Sequence, residues 1–298
     1  MIPPNFFILG APRAATTFLY RALSEHPHIF MSTVKETGFF SEDGRQSPWF
    51  TPVASTGKKI RTWAEYLALF ASAGSYPVRG EASTGYLADP HAAEQIQRRL
   101  DKSPRFIAIL RNPVERAYSH FIYHRMINVE PAKSFEEALK DEPRRQAKNW
   151  NIQWRYRETG LYGEHLERYM KLFGPERFLV LLHEDFADPQ KVFERTFQFL
   201  QVERASIHMD NKVNQSGVSR GTMASWLLQK DNPLKLLARR ILPPSARRRL
   251  RNRLTDKPPA LSPATQEELL AFYRQDMVKT ERLIGQSLDP WRQFTPSQ

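Results

Sequence analysis

Short apolar runs alternate with helical patterns over the first two thirds of the chain. Four runs have the length of strands: NFFILG (Asn5 to Gly10), PVRGEA (Pro77 to Ala82), RFIAILR (Arg105 to Arg111) and RFLVLLH (Arg177 to His183). Continuous apolar runs of this length are typical of strands that are buried on both faces. The alternation predicts an α/β fold, with a central, mainly parallel sheet flanked by helices on both faces.

Helical spacing of apolar residues predicts the elements between these strands. Phe18, Leu19, Ala22 and Leu23 follow the first strand at helical spacing, and Thr16 and Thr17 fall at the cap and first turn. Further helices are predicted at Asp89 to Leu100, Val114 to Ile127, Thr159 to Phe173 and Pro189 to Leu200, and loops over the active face at Ser41 to Arg61 and Lys140 to Glu158.

The length of 298 residues favours one large α/β domain that spans residues 1–298. The chain has no cysteine, which excludes a disulfide framework and a thiolate metal site. It has no basic segment followed by a signal-peptide core at its start, and no stretch approaches the roughly 20 apolar residues of a membrane span. These features together predict a cytoplasmic protein.

The formal net charge of +12 predicts attraction to anions without naming one. A basic nucleic-acid-binding protein would explain the charge, but no zinc-finger spacing, RNA-binding aromatic signature or helix-turn-helix pattern is evident, so no specific nucleic acid is predicted. Much of the excess lies in Lys235 to Arg253, which holds eight basic residues and no acid. This segment is either a solvated helix face or a contact with an anionic acceptor or membrane surface.

The turn after the first strand predicts an oxyanion site. A turn between a strand and a helix exposes unpaired N–H groups at the helix start, and these favour phosphate or sulfate. The ATP-binding loop G-x-x-x-x-G-K-[ST] would need a Gly-Lys pair where this chain has Ala15 and Thr16. Magnesium-dependent phosphoryl transfer is therefore disfavoured, although a nucleoside or sugar kinase of the same topology stays an alternative.

The carboxyl ends of parallel strands meet at one edge of a sheet, and ligands bind there. Arg13, Glu81, Arg111 and His183 are each predicted to lie just past a strand. Topology therefore predicts that these four side chains are neighbours.

Three blocks resemble the sulfotransferases that use 3′-phosphoadenosine 5′-phosphosulfate (PAPS). GAPRAATTFLYRAL resembles the family's 5′-phosphosulfate loop, and RFIAILRNPVERAYSHFIYH is similar to its 3′-phosphate element. KETGFF, from Lys35 to Phe40, resembles the stretch that carries the acidic base in the heparan-type branch. GEASTGYL, ERFLVLLHEDFADPQKVFERTFQFL and LIGQSLDPW follow in the family's order, so the resemblance covers nearly the whole chain.

The resemblance implies a P-loop NTPase-like three-layer fold and a nucleotide-binding transferase. PAPS would be the donor, adenosine 3′,5′-bisphosphate the product, and no metal would be required. Arg111 and Ser119 would hold the 3′-phosphate, although Arg111 could instead pair with Glu115. Arg220 and Gly221, in KVNQSGVSRGT, would close over the same phosphate. The 5′-phosphosulfate would lie against the loop residues Gly10, Ala11, Pro12, Arg13, Ala14, Ala15, Thr16 and Thr17.

The acceptor hydroxyl needs a base, and the chain offers two candidates. The family match selects Glu36, which lies beside Lys35 and the apolar pair Phe39 and Phe40. His120 and His124 are the rivals, because histidine has that role in other branches of the family. A histidine pair without a third ligand does not predict zinc. Arg13 would counter the charge on the departing phosphate oxygen.

Three positions depart from the family pattern. Arg13 stands where many members have lysine, so it can stabilise the leaving phosphate but cannot donate its proton. Ala15 replaces the usual glycine. Ala82 occupies the place of a lysine in the heparan-modifying members, which weakens the case for a heparan-like polysaccharide. The predicted reaction is in-line sulfuryl transfer to a hydroxyl of a glycan, a lipid or a small metabolite.

Overall fold

A five-stranded sheet forms the centre of the protein. The computed structural model describes residues 2–42, 60–100, 104–207, 218–219, 255–256 and 259–292. The strand order is β2-β3-β1-β4-β5, and every neighbouring pair is parallel. The predicted parallel α/β sheet is confirmed. The strands are β1 Phe6–Gly10, β2 Ile29–Met31, β3 Val78–Ala82, β4 Arg105–Leu110 and β5 Phe178–Leu182.

Strand β2 was not predicted from the sequence. It has only three residues, Ile29–Met31, which pair with β3 at the edge of the sheet. A run of three is too short to show the alternation of a strand, so its identity depends on the pairing with Val78–Ala82.

The helices follow the predicted order. The predicted helices around α1, α4, α5, α7 and α8 are all present, and α8 has the predicted bounds. The bounds are α1 Thr16–Ser24, α2 Phe39–Glu42, α3 Trp63–Ala68, α4 Ala92–Arg99, α5 Pro113–Met126, α6 Phe135–Ala147, α7 Tyr162–Phe173, α8 Pro189–Leu200, α9 Pro263–Ile284 and α10 Asp289–Arg292. Two short strands, β6 Val218–Ser219 and β7 Thr255–Asp256, form a separate antiparallel pair.

Helix α6 corrects the loop that was predicted at Lys140 to Glu158. The helix continues to Ala147 although Pro143 lies inside it. Its N-terminus is capped by Ser134, whose hydroxyl accepts a hydrogen bond from the Glu137 amide at 3.1 Å, and it buries Leu139 and neighbouring residues. Burial of this apolar face outweighs the helix-breaking tendency of one proline. Of the other predicted loop, residues 43–59 lie outside the described part.

Helix α9, which was not predicted, packs along α7. Asp276 accepts hydrogen bonds from the amides of Gly163 and Glu164 at 2.9 and 3.0 Å, so α9 caps the first turn of α7. The two elements approach closely, because a β-carbon on Gly160 would lie 2.7 Å from the hydroxyl oxygen of Tyr273. Among the described helices, none combines the length and apolar character that crossing a membrane requires. The single domain over residues 1–298 and the cytoplasmic location stay predictions.

Candidate active site

The anion loop comprises residues 10–17, between β1 and the first turn of α1. Arg13 and Ala15 both have positive φ, 71° and 66°. Ala15 is the N-cap of α1, and no side chain caps the helix. The loop accommodates the β-carbon of Ala15 in the left-handed region, which glycine adopts at lower cost. Uncapped amides at the start of a helix are the donors that an oxyanion needs.

Arg13 connects the anion loop to helix α5. Its Nε donates a hydrogen bond to Ser119 Oγ at 3.1 Å. Its guanidinium also lies 4.9 Å from the centre of the Tyr123 ring, a cation–π contact. Ser119 and Tyr123 are one helical turn apart on α5, so both meet the same arginine. The structure thus brings together the loop cation and the predicted 3′-phosphate serine.

Arg111 lies directly after β4, beside the anion loop. Its Nη1 donates to the carbonyl oxygen of Arg13 at 3.4 Å. Its Nε and Nη2 donate to Glu115 Oε2 at 3.2 and 2.9 Å. The pairing with Glu115 that the sequence left open is therefore present. An anion bound at Arg111 would share the guanidinium with this half-exposed carboxylate or displace it.

Residues far along the chain hold the backbone around Arg111. The Tyr162 hydroxyl donates to the carbonyl oxygen of Arg111 at 2.9 Å. The side chain of Asn112 caps α5 through the Val114 amide at 3.0 Å, and its Nδ2 donates to the carbonyl oxygen of Trp291 at 3.2 Å. The LIGQSLDPW segment thus supports the start of the helix that carries Ser119.

The four predicted neighbours only partly meet. His183 follows β5, and burial together with the charge of Arg111 lowers its pKa, which places it near that arginine. Glu81 departs from the prediction because it lies inside β3, not after it, and its side chain is fully buried. The carboxylate of Glu81 accepts hydrogen bonds from the hydroxyl groups of Thr37, Ser83 and Tyr66.

Glu36 lies in a turn against the end of β3. Its backbone has a φ of 62°, and its amide donates to the carbonyl oxygen of Ala82 at 2.8 Å. The carboxylate accepts hydrogen bonds from the Thr84 amide at 2.8 Å and from the Thr84 hydroxyl at 3.1 Å, and it pairs with Lys35. About a third of the side chain, 36%, is exposed. The carboxylate is therefore both oriented and accessible.

Tyr123, on α5, lies near both Arg13 and Glu36. Burial raises the pKa of its hydroxyl, the charge of Arg13 opposes that rise, and the charge of Glu36 adds to it. Both charges therefore act on one phenol.

His120 and His124 lie on the buried side of α5, with 2% and 3% exposure. His120 Nδ1 is 3.3 Å from Arg116 Nη1, and His124 Nδ1 is 2.9 Å from the Tyr156 hydroxyl. Burial, with nearby positive charges, holds the pKa of His120 well below its usual range and lowers that of His124 to about 3. Within the described residues, no group of three or more His, Asp or Glu side chains could hold a metal ion.

Two residues of the site, Thr84 and Tyr123, were not selected from the sequence. Thr84 lies in GEASTGYL, and its position two residues after β3 could have signalled a polar group at the sheet edge. Tyr123 lies four residues after Ser119, which places it on the same face of α5. Arg220, Gly221 and all of Lys235 to Arg253 lie outside the described residues.

Comparison with known proteins identifies the family. The sequence model of the sulfotransferase domain matches residues 3–231. The solved sulfotransferase structure from Alicyclobacillus acidocaldarius is similar over 98% of this chain and 100% of that chain, with a TM-score of 0.74 and 29% identity. The resemblance inferred from the motifs is therefore confirmed, together with the fold that it implied.

Two curated relatives contain a related segment. The human bifunctional heparan sulfate N-deacetylase/N-sulfotransferase 3 is 27% identical over 210 residues, which cover 67% of this chain and 22% of the relative. Carbohydrate sulfotransferase 15 of Mus musculus is 25% identical over 248 residues, covering 67% of this chain and 44% of the relative. The chain thus matches less than half of the length of either relative.

Proposed function

The chain belongs to the sulfotransferase domain family, and from this premise we propose that it transfers the sulfuryl group of PAPS to an acceptor hydroxyl. The observation that carries the proposal is the bridge from Arg13 in the anion loop to Ser119 on α5, at 3.1 Å. Arg111 donates to the backbone of the same loop at 3.4 Å. Two arginines and a serine that meet around the anion loop suit a donor with phosphate groups at two positions.

The proposed reaction needs no covalent intermediate. The acceptor oxygen forms a bond to sulfur while the bond from sulfur to the bridging phosphate oxygen breaks, and adenosine 3′,5′-bisphosphate leaves. The acceptor proton passes to the carboxylate of Glu36. Arg13 stabilises the charge that develops on the departing oxygen, as positioned cations do in related transfers. The products balance in atoms and charge.

The two hydrogen bonds from Thr84 keep Glu36 oriented before the acceptor binds. Each takes up one carboxylate lone pair and leaves others for the acceptor O–H. The side chain of Lys35 contributes a further charged contact. A base that is fixed by its neighbours loses little entropy when the hydroxyl arrives, which favours transfer.

We propose an acceptor without a dense negative charge. Ala82 is fully buried, and its carbonyl oxygen accepts a hydrogen bond from the Glu36 amide. A methyl side chain at this position supplies no positive charge that could attract an anionic acceptor. A glycan, a lipid or a small metabolite with a hydroxyl group fits this site. The contact of Lys235 to Arg253 with an anionic acceptor or membrane surface stays a prediction.

The donor assignment is tested by nucleotide binding to Arg111→Ala and Ser119→Ala, measured by titration calorimetry. Loss of a charge-assisted contact should weaken adenosine 3′,5′-bisphosphate about 10- to 100-fold, while adenosine 5′-phosphate changes little because it lacks the 3′-phosphate. Arg125→Ala is the matched control on the same helix, since Arg125 donates to the carbonyl oxygens of Glu130 and Ala132.

Equal weakening of both nucleotides would contradict the assignment of Arg111 and Ser119. The kinase alternative has its own signature in a thermal-shift assay. Stabilisation by ATP with magnesium, and none by adenosine 3′,5′-bisphosphate, would favour it over sulfuryl transfer. A ligand present at 100 times its dissociation constant should stabilise the fold by about 2.7 kcal/mol, which such an assay resolves.

A further inference from the structure

A buried carboxylate lies behind the turn that carries Glu36. Glu81, in β3, is fully buried. It accepts hydrogen bonds from Ser83 Oγ at 2.5 Å, Thr37 Oγ1 at 3.1 Å and the Tyr66 hydroxyl at 3.2 Å. None of the ion pairs found among the described residues includes it. A carboxylate held only by hydroxyl groups in the protein interior needs an explanation, because burial without a cation is costly.

The hydroxyls that contact Glu81 also hold the backbone of the turn. Ser83 Oγ accepts a hydrogen bond from the Gly38 amide at 3.2 Å, and Thr37 Oγ1 accepts one from the Phe39 amide at 3.3 Å. Ser83 and Thr37 thus connect one carboxylate to two successive amides. These amides lie two and three residues after Glu36.

Glu36 needs this support because its backbone is strained. Its φ of 62° lies in the left-handed region, which is unfavourable for a residue with a β-carbon. Gly38, with a φ of 63°, completes the turn at no such cost. The turn persists only where surrounding contacts stabilise it. The hydrogen bonds from Ser83 and Thr37 therefore help to hold the turn in this conformation.

We infer that Glu81 is a positioning residue for Glu36, an inference that rests on the proposed role of Glu36 as the base. Each hydroxyl has one proton. When Glu81 is ionised it only accepts, so Ser83 and Thr37 both direct their protons toward it. Their lone pairs then face the amides of Gly38 and Phe39, which donate. The charge on Glu81 sets the direction of the hydrogen bonds that hold the turn.

Protonation of Glu81 would weaken this order. A proton on Oε1, which Ser83 and Thr37 both contact, makes one of these hydroxyls accept and turn its own proton away. A proton on either oxygen removes the charge that strengthens all of these hydrogen bonds. Burial raises the pKa of Glu81 from 4.5 to about 7, and the hydroxyl donors oppose that rise. The titratable groups that face it are Tyr66 on α3, Tyr86 after β3 and Tyr169 on α7, and burial holds the pKa of each well above 10.

The test compares Glu81→Gln with Glu142→Gln in the full chain. Glu142 is also buried, and it accepts from the amides of Arg157 and Glu158 at 3.1 and 3.0 Å, apart from the Glu36 turn. Turnover is measured as conversion of PAPS to adenosine 3′,5′-bisphosphate with glycerol as a simple hydroxyl acceptor. The assay runs from about pH 5.5 to about pH 9, and donor affinity is measured in parallel.

We expect the turnover of the parent to fall as pH decreases through about 7, the pKa of Glu81. Glu81→Gln should lower turnover about 10-fold at high pH, since small displacements of a catalytic group are costly. It should also remove the step near pH 7 and keep donor affinity. Glu142→Gln should keep the parent profile, because a general loss of packing does not move this step.

Two further variants cover the case in which Glu81→Gln does not fold. Ser83→Ala removes the link to the Gly38 amide. Tyr66→Phe removes a donor to Glu81 that makes no hydrogen bond to the turn, while the ring that stacks on Phe39 stays. Ser83→Ala should lose more turnover than Tyr66→Phe. Parent-like turnover with an unchanged pH profile in Glu81→Gln would overturn the inference, provided that Glu36→Gln is inactive. Full activity of Glu36→Gln would instead overturn the proposed base.

Discussion

Two regions flank Arg13, and each offers a candidate base. The acid turn, Lys35 to Phe40, presents a carboxylate that is about one third exposed and is oriented by Thr84. The histidine face, formed by His120 and His124 on α5, is buried at 2% and 3% exposure. An acceptor must reach its base through space, so the difference in exposure favours the acid turn.

A buried glutamate also supports each region, and the partners of the two glutamates differ. Behind the histidine face, Glu130 receives Arg145 Nη2 and Nη1 at 2.6 and 3.0 Å and the Tyr156 hydroxyl at 2.6 Å. Behind the acid turn, Glu81 receives hydroxyls alone. The ion pair with Arg145 fixes the position of Glu130. Burial raises the pKa of Glu81 to about 7, so this carboxylate can change its charge near neutral pH.

The hydrogen-bond chain behind the histidine face determines the proton of His124. The single proton of the Tyr156 hydroxyl is directed to Glu130. His124 Nδ1, at 2.9 Å from the same oxygen, must then carry its own proton and donate it. With a pKa lowered to about 3, this imidazole has little affinity for a second proton. His124 is therefore a weak base.

Replacement of each candidate base gives the largest expected difference between the two regions. Glu36→Gln keeps size and most hydrogen bonding but removes basicity, so turnover should fall about 10²- to 10⁴-fold while donor binding survives. His120→Asn and His124→Asn should keep turnover near the parent level once corrected for the folded fraction. The measurement is PAPS conversion at fixed pH together with calorimetric donor binding.

The opposite pattern would reassign the base. If Glu36→Gln stays nearly as active as the parent and one histidine variant loses turnover, that histidine is the base. Arg13→Ala is a useful third variant, because it should reduce both turnover and donor binding through its contacts in the loop.

Arg145→Ala tests the buried ion pair between Arg145 and Glu130. It leaves Glu130 buried without its cation, which should destabilise the protein by about 3–5 kcal/mol. The neighbouring Arg144→Ala is the matched control, because Arg144 is half exposed and solvent screens its pairing with Asp141, so the loss of stability should be small. Urea unfolding provides the measurement. A similar small loss of unfolding free energy in both variants would show that the buried pair does not stabilise the fold.

The pH dependence of stability tests the role of burial at Glu81. Since the pKa of Glu81 is raised in the folded state, its contribution to stability is present below its ordinary value of 4.5 and is lost as pH rises through about 7. The free energy of unfolding of the parent, relative to Glu81→Gln, should therefore fall by about 3 kcal/mol over that range. Urea unfolding at several pH values would reveal it, and a difference independent of pH would contradict it.

Local patterns predicted much of the fold and part of the site. The strands β1, β3, β4 and β5, and the bounds of α8, follow from apolar periodicity and from capping residues such as Asp188. The anion loop follows from a strand, a turn and a helix that are contiguous in the chain. The motif positions of Arg111, Ser119 and Glu36 required only the order of residues. Short-range features of this kind are encoded within a few residues, so sequence reasoning reaches them.

The sequence by itself thus determined the order of the elements and the residue types of the candidate chemistry. Tertiary structure alone decided which groups meet: Arg13 with Ser119, 106 positions apart, and Thr37 with Glu81, 44 positions apart. It also decided that Glu81 has hydroxyl partners while Glu130 has Arg145. These outcomes depend on strand register and helix packing, which bring distant residues within hydrogen-bond reach. Burial then raises the pKa of Glu81 and lowers that of His124, because only the folded chain removes water from this carboxylate and this imidazole.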